Sequence, residues 1–175
     1  LYKWIILMTT PIPFFDGPAA IALRVKQLLD RMGDQLDPAL KAGGVRIKST
    51  TTGTVHYLFH AGPNSIAAIA AALRYSHQLA TQRVNWLVKH GYARLEDDPE
   101  DRRRRRVLLT QAGRVEAENL QALLPRVEAA YATLFEELGV DLLAVLCSAD
   151  EALAQTPLKA RCERANLTEK AAGHA

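Results

Sequence analysis

The chain has 175 residues, 49% of them hydrophobic and 23% charged, and a formal net charge of +3. That length supports one compact domain, or a small lobe carried on a helical frame, and so modest a charge names no partner by itself. No stretch approaches the roughly 20 apolar residues of a membrane-spanning helix, and two cysteines with no CxxC and no Cys/His cluster argue against a disulfide scaffold or a common zinc module.

The start, LYKWIILM, is apolar but has no secretory cleavage pattern, and Pro11 and Pro13 follow closely. Residues 1–17 therefore read as an arm. Either Met8 is the initiator and residues 1–7 are upstream sequence, or the arm is ordered and packs on a partner subunit. From Ala19 the apolar residues Ile21, Leu23, Val25, Leu28, Leu29 and Met32 recur at helical spacing, with a charged face between them. Asp37-Pro38 has the form of an N-cap followed by a first-turn proline, so the helix is expected to break or re-cap there. Ala42-Gly43-Gly44 predicts a turn.

A short helix is expected from about Thr52 to Phe59, ended by Ala61-Gly62-Pro63. His56 and His60 lie four apart on it and share a face. That is metal-ligand spacing, but two histidines alone do not make a site. Asn64 or Ser65 caps the next helix, IAAIAAALR. Tyr75-Ser76 interrupts it, Ser76 caps HQLATQRVNWLVKH, and Gly91 ends that helix. Two short helices so joined form a helix-turn-helix signature.

The period then changes. Residues 92–96 suit a strand, 97–101 a turn around Pro99, and Arg104 to Leu109 a returning strand with Val107 and Leu109 on one face. A hairpin directly after a helix-turn-helix makes a winged helix. Thr110 caps a long helix to Leu138, expected to be interrupted or kinked at Pro125, and Gly139 stops it. A last helix runs from about Asp141 through Leu153, extending towards Ala160. Cys147 and Cys162 read as reduced, partly buried thiols of a cytosolic protein, and the tail from Asn166 to Ala175 is expected to fray.

Charge is concentrated in this middle region. Between Arg74 and Arg106 stand nine Lys or Arg and five Asp or Glu, +4 in one segment and −1 in the rest. A local basic excess is the footprint of a polyanion binder. At about 100° per residue, Ala80, Val84, Leu87 and Val88 cluster on one side of the Ser76-capped helix. Gln78, Gln82, Asn85, Trp86 and Lys89 take the other, flanked by Thr81 and Arg83. Amide side chains pair bidentately with adenine edges in a major groove, and the first turns of such a helix do most of the reading. The candidate DNA-reading set is Ser76, His77, Gln78, Thr81, Gln82, Arg83 and Asn85.

The stretch DDPEDRRRRRVLLT supplies a second set. Asp101 stands two residues before Arg103, where a carboxylate can hold a guanidinium extended towards the narrow, strongly negative minor groove. Arg102, Arg104 and Arg105 are placed to take phosphates, while Arg106 lies closer to the sheet and is expected to pair internally. No Gly-rich phosphate loop, nucleophile elbow or paired catalytic carboxylates are present, so an enzyme is not expected.

These residues resemble the MarR family of bacterial transcription regulators. The likeness runs from about Ala19 to Arg164 and is most specific over residues 65–114. It is carried by Ser76, Val84, Leu87 and Gly91, by the Asp-x-Arg of Asp101 and Arg103, and by the Leu-Thr-x-x-Gly of Leu109, Thr110 and Gly113. The resemblance implies a mainly α fold with a small two- to three-stranded β-wing. Residues 50–110 would form the DNA-binding lobe, residues 18–49 and 111–165 the helices of a homodimer, and residues 166–175 a tail. It further implies a cytoplasmic repressor of a palindromic double-stranded operator, without cofactor or metal. A small aromatic effector would be met by His56, Tyr57 and His60. Arg83 and Trp86 depart from the family pattern. The early cysteine of peroxide-sensing relatives and the His/Cys/carboxylate set of zinc-sensing ones are both missing. A winged helix used for protein contact or nonspecific nucleic-acid binding is the alternative.

Overall fold

The computed structural model of the chain describes residues 17–99 and 104–172, with residues 166–172 described by backbone alone. A 3-10 turn at Pro18–Ala20, seven α-helices and one hairpin make up the described residues: α1 Ile21–Ala42, α2 Ser49–Ala61, α3 Ile66–Ala72, α4 His77–Lys89, β1 Ala93–Asp97, β2 Arg105–Leu109, α5 Gln111–Leu138, α6 Leu142–Gln155 and α7 Leu158–Ala172. The described residues divide into two compact units, which part between Leu123 and Leu124.

In the first unit, α1 does not break at Asp37-Pro38. The helix continues to Ala42 with Pro38 inside it. Asp37 caps a different helix: its Oδ1 accepts the Ser49 N–H at 2.6 Å, satisfying one of the orphan donors at the start of α2. Gly44, at φ 84°, then reverses the chain, and the Val45 N–H closes the end of α1 on the Leu40 carbonyl at 2.9 Å. The helix α2 is longer than expected at both ends.

The core of this unit draws on every element after α1's last turn. Leu40, Val45, Ile47, Val55, Leu58, Ile69, Ala80, Val84, Leu87, Val107 and Leu120 are all buried. The hairpin is antiparallel, with Ala93 opposite Leu109, Leu95 opposite Val107 and Asp97 opposite Arg105. Asn64 adds a third, one-residue strand. Its N–H and C=O exchange bonds with Val107 at 3.1 and 2.8 Å, which ties the α2–α3 connection to the back of the wing.

Pro125 lies within α5, which runs uninterrupted to Leu138. In the second unit the expected single last helix is two. The break falls at Thr156-Pro157, because proline disfavours helix in the residue before it. Arg161 staples the break, donating through Nε to the Thr156 carbonyl at 2.9 Å and through Nη2 to the Ala152 carbonyl at 2.8 Å. Helix α7 carries on past Asn166, the start of the expected tail, as far as Ala172. Cys147 and Cys162 are both exposed, not partly buried. On α6 no residue is buried, although the helix is rich in Leu, Val and Ala. Among the described residues no helix is long and apolar enough to cross a membrane.

Candidate nucleic-acid interface

The second helix of the helix-turn-helix is fixed at both ends by local chemistry. Ser76 is its N-cap, with Oγ accepting the Leu79 N–H at 3.1 Å. At the far end Gly91 takes φ 78°, a conformation that costs a side-chain-bearing residue far more. The helix buries Ala80, Val84 and Leu87 completely. Its opposite side leaves Gln78, Gln82, Asn85 and Lys89 exposed at intervals of four, three and four, one continuous polar stripe. Ser76 and His77 are also exposed, at the N-terminal end where a groove-entering helix makes its base contacts.

Two members of the expected reading set, and Trp86 beside them, behave differently. Thr81 is half-buried and its hydroxyl donates back to the His77 carbonyl at 2.8 Å, leaving Oγ1 with acceptor capacity only. Arg83 precedes Leu87 by four residues and so leans to the buried side. It is half-buried, and its Nε is enclosed without a hydrogen-bond partner. Trp86, expected on the polar face, is half-buried in an aromatic column. Its ring stacks on His90 at 3.9 Å and on Tyr92 at 6.1 Å, and the Lys48 ammonium lies 5.8 Å from it. That column occupies the end of the helix nearest the hairpin.

The wing sorts its charges by register. Glu96 stands opposite Arg106 and Asp97 opposite Arg105, so opposite charges face each other across the ladder. Arg94 pairs with Glu96 at 2.6 Å, and Arg106 lies 3.9 Å from Asp98 as the expected internal pair. Arg104 and Arg105 are exposed. Asp101, Arg102 and Arg103 fall outside the described residues, and with them the expected Asp101–Arg103 brace.

A clasp, of which sequence reading foresaw only the Thr110 cap of α5, joins the hairpin to the end of α4. Thr110 Oγ1 donates to the Gly91 carbonyl at 2.6 Å and accepts the Gly113 N–H at 3.1 Å, while the Thr110 N–H donates to the Tyr92 carbonyl at 3.0 Å. A Cβ on Gly113 would collide with that same carbonyl oxygen. The Leu-Thr-x-x-Gly pattern is therefore a structural joint. Glu116 is a second missed residue. It is 5% exposed and its carboxylate accepts the backbone N–H groups of Arg46 and Ile47 at 2.6 and 3.2 Å, holding the strap before α2 against α5.

Of the expected effector contacts, His56 and His60 are exposed with ring centroids 4.6 Å apart, and Tyr57 is half-buried. Gln121 of α5 reaches both histidines. Its Nε2 lies 2.6 Å from His60 Nε2 and 3.1 Å from His56 Nδ1. Among the described residues no three His, Cys, Asp or Glu side chains come together as a metal-binding group.

Residues 47–104, which span α2 to the wing, match the model of the MarR family. The fold is similar to that of the Mycobacterium tuberculosis transcriptional regulator MOSR in complex with DNA, at 18% identity and a TM-score of 0.58 over 77% of this chain and 94% of that one. It is also similar to the heme sensor PefR of Streptococcus agalactiae in complex with heme, at 17% identity and a TM-score of 0.53 over 83% and 97%. A probable transcriptional regulator from Pseudomonas aeruginosa is 24% identical, with a TM-score of 0.50 over 67% and 96%. No curated protein matches the chain. Identities this low establish the shared fold and nothing finer.

Proposed function

We propose that this chain, whose residues 47–104 match the MarR family model and whose fold is similar to that of MOSR, is a member of that family and a homodimeric, sequence-specific regulator that represses transcription from a palindromic operator. The observation that carries the reading is the exposed stripe of Gln78, Gln82, Asn85 and Lys89 on a capped helix with an arginine-rich hairpin directly behind it. In this reading Ser76, His77, Gln78, Gln82 and Asn85 meet base edges or phosphates in the major groove. Thr81 contributes through its methyl group and remaining lone pairs, and Arg83 through whatever part of its guanidinium reaches past the enclosed Nε. Arg103, braced by Asp101, enters the minor groove, and Arg102, Arg104 and Arg105 take phosphates. The protein would act in the bacterial cytoplasm and catalyse no reaction.

The dimer is supported by what each unit leaves uncovered. On α1, Ile21, Val25, Leu28 and Leu29 form an apolar stripe, with Ile21 and Leu29 each 66% exposed. On α6, Leu143, Val145, Leu146 and Leu153 are exposed, and the helix covers nothing of its own. Contiguous apolar faces of this kind mark association surfaces, and a two-fold dimer matches two half-sites of a palindrome.

Footprinting on the DNA upstream of the protein's own gene tests the reading. Protection of one palindromic site is expected, surviving excess random duplex, and Arg103→Ala should weaken it at least tenfold with little change in melting temperature. Binding abolished by random competitor would support the nonspecific alternative instead. Relief by a small aromatic ligand is the remaining part of the reading. His56, Tyr57 and His60 would supply its polar contacts, and by linkage the ligand would weaken operator binding as operator weakens the ligand. Calorimetry with a panel of aromatic acids, with and without operator, checks this. Operator affinity indifferent to every acid would refute it.

A further inference from the structure

The convergence of His56 Nδ1 and His60 Nε2 on a single amide nitrogen needs an explanation beyond helix packing. Exposed histidines on consecutive turns of one helix are free to point apart, and these do not. Their rings stand 4.6 Å apart at 57°, and both nitrogens aim at Gln121 Nε2, at 3.1 and 2.6 Å. An amide NH₂ group only donates, so each imidazole presents a lone pair to it. Two imidazole lone pairs focused on one small, positively polarised group is also the arrangement that binds a borderline metal ion. The amide hydrogens stand where the cation would.

We propose that His56 and His60 clamp a divalent transition-metal ion of the imidazole-preferring kind, nickel, copper or zinc, with Gln121 as the third group at the site. Imidazole suits these ions, and spacings of three to five residues between ligating histidines are common in bound sites. On metal binding the two nitrogens close to about 2.0–2.1 Å from the ion, a movement that rotation about exposed side-chain bonds supplies. The Gln121 amide then turns over, so that its carbonyl oxygen rather than its NH₂ faces the cation. Water fills the remaining positions, as in sites with few protein ligands. His56 and His60 belong to α2 and Gln121 to α5, so the ion would join two elements of the lobe through side chains 61 and 65 residues apart. The proposal stands independently of DNA binding, because its readout is the metal itself.

Isothermal titration of nickel and of zinc into the full chain carrying Cys147→Ser and Cys162→Ser tests it. Those changes remove the two exposed thiols, which are themselves strong ligands for these ions. One site per chain is expected. His56→Ala and His60→Ala should each weaken it at least tenfold, with unchanged helical circular dichroism confirming the fold. Gln121→Leu tests the third group. Loss of the amide oxygen should weaken binding about threefold, whereas an unaltered titration would remove Gln121 from the site. Copper bound to the parent should show two imidazole nitrogens in its electron-spin-echo spectrum, and one in either alanine variant. Absence of a saturable site in the parent, or a site kept in full by His56→Ala, would overturn the proposal. So would the binding of an aromatic acid but no metal at these residues, which would return the pair to the rim of an organic-ligand pocket.

Discussion

Gly113 occupies a position that admits no side chain, because the Tyr92 carbonyl oxygen lies where a Cβ would go. Gly113→Ala must push the start of α5 away from the end of α4 and strain the three Thr110 bonds at once. The expected cost is about 3 kcal/mol, lowering the melting temperature by roughly 6–12 °C. A melt within 2 °C of the parent would show that the clasp yields easily. Gln82→Ala should behave in the opposite way. It removes an exposed amide from the middle of the polar stripe, so stability should hold while preference among operator variants relaxes by about 1–3 kcal/mol at one base pair. Unchanged selectivity in competition binding would take Gln82 out of the reading set. The roles of Ser76 and Gly91 were legible in the sequence because caps are made within four residues of the chain. The aromatic column on Trp86 was not legible, because a wheel knows only its own helix and Tyr92, which stacks on Trp86, lies beyond the helix end.

Helices here are finished by residues from other helices. Asp37 sits in α1 but caps α2, Glu116 sits in α5 but binds the strap before α2, and Arg161 in α7 closes the end of α6. The first and third contacts meet backbone groups at helix ends, and the second meets those of the strap. Asp37→Ala should therefore destabilise α2, not α1, by about 1 kcal/mol. Hydrogen exchange would report this as faster exchange at Ser49 and its neighbours with α1 protection unchanged. Faster exchange spread along α1 would contradict it. Such pairings explain why the positions of the elements were largely readable and their joints were not. The Asp37-Pro38 signal was real, but its partner lies twelve residues on, where no local pattern points. Gln121 is further still from His56 and His60, and nothing in its surroundings marks it. Pro157, by contrast, did signal the break between α6 and α7 to any reading that weighed it.

At the scale of the molecule, α6 is apolar and buries none of its residues. A single charge on it, Leu146→Asp, should shift the protein towards monomer at micromolar concentration in light scattering while the winged lobe stays folded. An unshifted dimer mass would remove α6 from the proposed interface. The stripe on α1 could be seen in the sequence as periodicity, but periodicity says only that a face is apolar, not whether the chain's own core or a second copy covers it. A last consequence follows from the Thr110 clasp. It engages Gly91, Tyr92 and Gly113, and none of these belongs to the stripe of Gln78, Gln82, Asn85 and Lys89. The letters that would be spelled out against bases are thus physically separate from the hinge pins that keep the lobe in one piece. On the proposed function, a lineage could rewrite its vocabulary of target sites, by drift or in the laboratory, without retuning the hardware that displays it.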